Sequence, residues 1–119
     1  MSDFYKYVPF KDGEASNNRT HLKISVGYQK GGVNWYNGQH ETGGIYVYFT
    51  PVRKEQWSVS QIFGEGYKIH VADSNRKNTR KMEKIFNALE PKMDALKDFY
   101  VAEDKQAIFA LLNETAASI

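Results

Sequence analysis

Apolar residues recur at every second position in separate runs between residues 21 and 71 and at every third or fourth position from residue 82 onward. Side chains alternate between faces along a strand, whereas along a helix they return to one face about every 3.6 residues. The switch of period therefore orders the elements, with strands first and helices last. It predicts an α+β chain: an antiparallel sheet of about four strands, then a long helix interrupted by proline and a C-terminal helix, both packed on one sheet face.

Residues 21–28, HLKISVGY, place Leu22, Ile24, Val26 and Tyr28 on one face and His21, Lys23, Ser25 and Gly27 on the other. Residues 45–50 place Ile45, Val47 and Phe49 opposite Tyr46, Tyr48 and Thr50, and Pro51 is expected to end that strand. Residues 57–63 read as a third strand with Trp57, Val59 and Phe63 inward. Residues 67–71 read as a fourth, with Tyr67, Ile69 and Val71 inward against Lys68 and His70. Residues 1–20 are expected to form an irregular arm or an edge strand. Tyr5, Tyr7, Val8 and Phe10 can pack there, while Pro9 bars a central place in a ladder and Asp12, Gly13 and residues 16–18 are turn chemistry. Residues 33–44 form a connection bounded by glycines, read as a short extra hairpin carrying Trp35 and Tyr36, with a tight turn at Asn37 and Gly38.

Asp73, Ser74 and Asn75 are N-cap candidates for the first helix. Met82, Ile85, Phe86, Leu89, Met93, Leu96 and Tyr100 then make one apolar stripe, with Pro91 predicting a kink or two abutting helices. A last helix is expected to begin near Glu103 and Asp104 and to bury Ile108, Leu111 and Leu112.

At 119 residues the chain is expected to be one domain with a core of its own. It has no cysteine, so neither disulfides nor thiolate metal sites are open to it, which fits a cytoplasmic setting. The N-terminal residues lack the apolar run of a secretory signal, and no stretch approaches the roughly 20 apolar residues of a membrane span. The sequence presents no nucleophile with a recognisable base, no paired carboxylates and no phosphate-binding fingerprint. Lys30, Gly31, Gly32, Gly43 and Gly44 read as bends. His21 and His70 would form a metal pair only if their strands were neighbours, and no further ligand spacing supports one. The expectation is a non-enzymatic protein without cofactor or metal.

Two features point to binding. Residues 74–84 carry a net charge of +4 while residues 85–119 carry −3. Arg76, Lys77, Arg80, Lys81 and Lys84 make that basic segment, and helical spacing would bring the last four to one face. Such a run is commonly just a solvated face, but it would also hold phosphate. The second feature is the wealth of tyrosine, eight residues beside seven phenylalanines and two tryptophans. If Ile45, Val47 and Phe49 face the helices, Tyr46 and Tyr48 face outward near Lys23, Lys68 and His70, with Trp35 and Tyr36 adjoining. Strands favour tyrosine in any case, and the N-terminal arm would cover this face if it docked there. Left open, the face is a stacking platform for single-stranded nucleic acid or a protein interface.

The stretch KGGVNWYNGQHETGGIYVYFTPV from Lys30 to Val52 resembles small uncharacterised proteins of phages and mobile elements of gut Bacteroidetes. The resemblance rests on Lys30, Gly31, Gly32, Asn34, Trp35, Gly38, Glu41, Gly44, Tyr46, Pro51 and Val52. Those proteins usually carry arginine where this chain has Gly43. The resemblance implies a mobile-element setting and supplies no catalytic residues. In architecture, strands followed by a long helix also resemble the whirly and coactivator-type single-stranded-DNA-binding folds, which act as dimers or higher oligomers; this analogy concerns the fold alone. The leading expectation is a small phage or mobile-element protein that binds single-stranded nucleic acid. Arg76, Lys77, Arg80, Lys81 and Lys84 would contact phosphate, and Trp35, Tyr36, Tyr46 and Tyr48 would stack on bases. The alternative is a protein-interaction module, either an oligomeric accessory protein or an inhibitor of a host factor, bound through the tyrosine face.

Overall fold

The computed structural model describes residues 4–11, 19–33, 38, 40–41, 43–62 and 66–119. Trp35, Tyr36, Phe63 and the turn residues 12–18 and 64–65 of the sequence reading lie outside these. The chain runs β1 (Phe4–Pro9), β2 (His21–Gln29), β3 (Gly32–Val33), β4 (His40–Glu41), β5 (Gly44–Lys54), β6 (Val59–Gln61) and β7 (Tyr67–Asp73). Helices α1 (Thr79–Leu89), α2 (Met93–Val101) and α3 (Lys105–Ala117) follow. β1, β2, β5, β6 and β7 form an antiparallel sheet, while β3 and β4 form a separate small hairpin.

β5 is the spine of the sheet. One edge pairs with β2 along nine residues, and β2 pairs in turn with β1. The other edge is shared: β7 takes Gly44 to Phe49 and β6 takes Val52 to Lys54. Pro51 was expected to end this strand, yet β5 continues through it to Lys54. The carbonyl of Pro51 accepts from the Ile62 N–H at 2.9 Å, on the β6 side. In an antiparallel ladder a residue's N–H and C=O point the same way. The N–H that proline lacks would therefore have faced the same side, toward Ile62 just beyond the end of β6, and the ladder to β2 needs nothing from it.

The period-two residues divide as the pattern requires. Leu22, Ile24, Val26, Ile45, Val47 and Phe49 are buried and meet Met82, Ile85, Leu89, Met93, Leu96, Tyr100, Ile108 and Leu112 from the helices in one core. Each fully buried side chain of this kind contributes roughly 1.5–3 kcal/mol. A row of rings closes one end of the core. Phe49 lies 5.4 Å from Tyr67, Tyr67 stacks 5.8 Å from Tyr100, and Tyr100 lies 6.3 Å from Phe10.

Pro91 acts as the pattern predicts. It falls in a 3₁₀ turn, Glu90–Lys92, that joins α1 to α2, and proline suits an early helical position because no partner is needed for its missing N–H. Asp104 caps α3 by accepting from the Ala107 N–H at 3.1 Å. Lys97 of α2 is 2% exposed, and its ammonium lies 2.8 Å from Asp98. This pairing offsets part of the cost of burying a charge there.

Two further expectations fail. Over its described residues, 57–62, the segment is not an inward-facing strand. β6 is only Val59–Gln61 and wholly exposed, and Trp57 at the hairpin tip is 90% exposed. It pairs with the last residues of β5, and Val59 and Gln61 share the face away from the helices, so no core lies beneath them. The cap of α1 is Asn78, whose side chain accepts from the Lys81 N–H at 3.1 Å, and not Asp73, Ser74 or Asn75. Asp73 is the last residue of β7, and Ser74 instead turns the chain by bonding the backbone of Arg76.

Candidate nucleic-acid interface

Cross-strand register determines which side chains share the sheet face away from the helices. Tyr5 stands opposite Ser25, and Tyr7 opposite Lys23. Ser25 stands opposite Tyr48, Gly27 opposite Tyr46, and Lys23 opposite Thr50. On the far edge Tyr46 stands opposite His70, and Tyr48 opposite Lys68. The face thus carries four tyrosines, Tyr5 and Tyr7 on β1 and Tyr46 and Tyr48 on β5, on either side of β2.

Three lysines are interleaved with them. Lys23 Nζ lies 4.9 Å from the ring centre of Tyr5, Lys54 Nζ 5.0 Å from Tyr7, and Lys68 Nζ 5.1 Å from Tyr46. Each contact places a cation against the negative face of a ring. Lys68 also donates to the Gln29 side chain, and Thr20 Oγ1 accepts from the Lys54 N–H at 2.8 Å, which fixes the end of β5. The rings themselves pack at angles: Tyr5 with Tyr7 at 5.5 Å, Tyr46 with His70 at 5.2 Å, and Tyr46 with Tyr48 at 6.3 Å. Among the described strand residues of this face, Asp73 is the one carboxylate. It sits at a corner, where its Oδ1 is 3.1 Å from His70 Nε2. The described strand residues of this face are therefore cationic in sum.

Accessibility distinguishes the tyrosines. Tyr5 is 44% exposed, Tyr7 and Tyr48 are half-buried, and Tyr46 is only 6% exposed. Tyr46, expected to stack on a ligand, forms the floor beneath Lys68, His70 and Tyr48. Tyr48 remains at the surface because Gly27 leaves room for it: a Cβ at Gly27 would stand 3.0 Å from Tyr48 Cε2.

His21 lies at the β1 side of the face, with Nδ1 2.8 Å from Thr20 Oγ1. Partial burial, and then the nearby Lys54 ammonium, hold its pKa below the ordinary histidine value and favour the neutral ring. His21 and His70 do not form a pair. Their strands flank β5 on opposite edges, with His21 opposite Val52 and His70 opposite Tyr46. No group of three or more His, Cys, Asp or Glu among the described residues is placed to hold a metal ion.

The basic cluster is elsewhere. Arg80, Lys81 and Lys84 are exposed on α1, whose buried residues Met82, Ile85 and Leu89 face the sheet. Their charges thus point away from the sheet, in the layer opposite the tyrosines. Arg76 and Lys77 are exposed in the connector before the Asn78 cap, so the expected single helical face of residues 77, 80, 81 and 84 does not form. The two ingredients joined by sequence reasoning, basic helix and tyrosine face, are separated by the whole core. The lysines that do meet the tyrosines were only partly foreseen. Lys23 and Lys68 follow from the alternation of their strands, whereas Lys54 lies beyond Pro51, where the strand was expected to have ended. Of the two readings of residues 1–20, arm or edge strand, the described residues 4–9 form the edge strand, so Tyr5 and Tyr7 are part of this face and not a cover over it.

No helix among the described residues is long and apolar enough to cross a membrane. No protein-family model matches the chain, and neither does any curated protein or solved structure.

Proposed function

We propose that this protein binds single-stranded nucleic acid on the open face of its sheet and acts by binding rather than by catalysis, in the cytoplasm and in a phage or mobile-element setting. Tyr5, Tyr7 and Tyr48 stack on bases, while Lys23, Lys54 and Lys68 meet phosphates. The observation that carries the reading is the pairing of each lysine with a tyrosine on a face whose one described strand carboxylate is at a corner. Rings offer a π-face to any base, and cations track the backbone. This is the combination that single strands require and that a duplex, with its bases stacked inside, cannot use. The α1 charges form a second cationic surface outside this footprint.

The arrangement sets a number. Each phosphate neutralised on a single strand contributes about −0.7 to the slope of log affinity against log salt, so three lysines predict a slope of about −2. Engagement of the five residues of the basic cluster as well would steepen it to between about −5 and −6. Titration of a labelled single strand by fluorescence anisotropy at several salt concentrations, with duplex as comparison, tests the proposal. A slope near the smaller value with preference for the single strand supports it, and salt-insensitive binding or preference for duplex contradicts it.

A further inference from the structure

The two edges of the sheet differ. β1 at one edge ends in Pro9 and carries exposed Lys6, devices that discourage another strand from pairing. At the other edge, no described strand pairs with the outer side of β7. The odd-numbered residues of β5 direct their backbone groups toward β6 and β7, as the Pro51 to Ile62 hydrogen bond shows. Tyr67 and Ile69, opposite Phe49 and Val47, return those bonds. Alternation then turns the N–H and C=O of Lys68 and His70 outward, where an added strand would meet them.

Beside this edge lies α3. Between the two is a groove of about 440 Å³ lined by Tyr67, Lys68, Ile69, Lys105, Gln106 and Phe109. Phe109 is 52% exposed, an unusual position for a large apolar ring on a helix that otherwise buries Ile108 and Leu112. The lining contains two lysines and no carboxylate. Lys105 Nζ stands 4.7 Å from the ring centre of Tyr67, at the groove itself. Lys68 extends the other way, onto the open face over Tyr46.

We infer that the β7 edge and the α3 groove together form a docking site for an extended acidic peptide, which adds to the sheet as a further strand. Backbone bonds to Lys68 and His70 supply register, as in other cases of strand addition. Alternate side chains of the incoming strand fall on opposite faces. Those on the helix side enter the groove against Tyr67, Ile69 and Phe109 and are apolar. Those on the other side meet Lys68 and are acidic, with Lys105 favouring a further carboxylate at the groove. A second copy of this chain fits less well, because pairing β7 with itself would bring the same lysines of two copies together. The site shares Lys68 with the nucleic-acid reading, but Phe109 and Lys105 are outside the tyrosine face, so substitutions there test it separately.

The test uses the full chain and a fluorescent peptide of alternating Val and Glu. The controls are a Val and Lys peptide and a Val and Glu peptide N-methylated along its backbone. Anisotropy should show binding of the first, and weakening by about tenfold or more when Lys replaces Glu. Loss of the backbone donors should weaken it comparably, and Phe109→Asp by about tenfold. Tyr48→Ala should leave peptide affinity unchanged, and Phe109→Asp should leave nucleic-acid affinity unchanged. Hydrogen exchange of the Lys68 and His70 amides should slow in the complex. Failure to bind, equal affinity for the acidic and basic peptides, or protection elsewhere than β7 overturns the inference. So does elution of the free protein as a dimer whose formation Phe109→Asp abolishes.

Discussion

Gly44 opens β5 with a φ of +154°, and a Cβ there would stand 2.3 Å from the Ala72 carbonyl oxygen and 2.7 Å from His70 Nε2. Gly32 has nearly the same φ, +150°, with nothing within 4 Å of the equivalent point. The two residues separate two costs. A side chain in this backbone region costs about 1–3 kcal/mol, and that applies to both. The steric cost applies to Gly44 alone. The Ala72 oxygen is backbone, and Ala72 is held opposite Ile45 in the ladder, so it cannot swing aside as a side-chain tip would. Moving it opens the end of the β5–β7 pairing where the bulge already interrupts the register, which costs about 1–3 kcal/mol more. Gly44→Ala is therefore expected to lose about 2–6 kcal/mol and Gly32→Ala about 1–3. At roughly 3–5 °C per kcal/mol for a domain of this size, a loss of about 4 kcal/mol, the middle of the larger range, lowers Tm by about 12–20 °C. Urea unfolding followed by circular dichroism, with both variants measured beside the parent, gives the difference. Losses equal to within about 0.5 kcal/mol would refute the steric argument and leave only the backbone term.

Asn78→Ala should cost about 1 kcal/mol by removing the α1 cap, whereas Ser74→Ala or Asn75→Ala should cost less, as chemical denaturation would show. Burial, and then the neighbouring Tyr100, push the Tyr67 phenol up to about 12. Because its folded pKa lies above the unfolded value near 10, its contribution to stability is present below about pH 10 and is lost as pH rises toward 12. Tyr67→Phe should flatten that decline and remove one late-titrating phenol from an ultraviolet titration of the tyrosines. Asp98 behaves in the opposite sense. The hydrogen bond from Lys97 holds its pKa below the usual carboxylate value, more than offsetting the desolvation that raises it. Its contribution is therefore present above about pH 4 and is lost as pH falls further. Acid unfolding of Asp98→Asn should show less pH dependence in that range than the parent.

Much of the fold is legible in the sequence because it depends on period. Leu22, Ile24 and Val26 alternate, Met82, Ile85 and Leu89 follow helical spacing, and both sets meet in the core. Pro91 marks the break between α1 and α2 for a local reason that holds in any context. What was not legible depends on tertiary placement. Trp57 and Val59 alternate with Ser58 and Ser60 as in a buried strand, but β6 joins only the far end of β5, where no core lies beneath it. Asp73, Ser74 and Asn75 are cap residues by type, but β7 extends through Asp73 and postpones the helix to Asn78. The candidate site divides likewise. The outward direction of Tyr46 and Tyr48 follows from alternation, while the burial of Tyr46 and the approach of Lys54 to Tyr7 require the register of three strands. Nor could charge spacing along one helix reveal that its basic face and the tyrosines lie on opposite layers.

The most direct test of the account compares one single-stranded oligonucleotide titrated against the parent, Tyr48→Ala and the double variant Lys81→Ala with Lys84→Ala. Loss of one stacking ring is worth about 1–3 kcal/mol, so Tyr48→Ala should weaken binding by at least about fivefold, while the helix variant keeps the parent's affinity and salt slope. Binding lost in the helix variant and kept in Tyr48→Ala would contradict the sheet face as the binding surface, and failure of the parent to bind at low salt would contradict nucleic acid as its ligand.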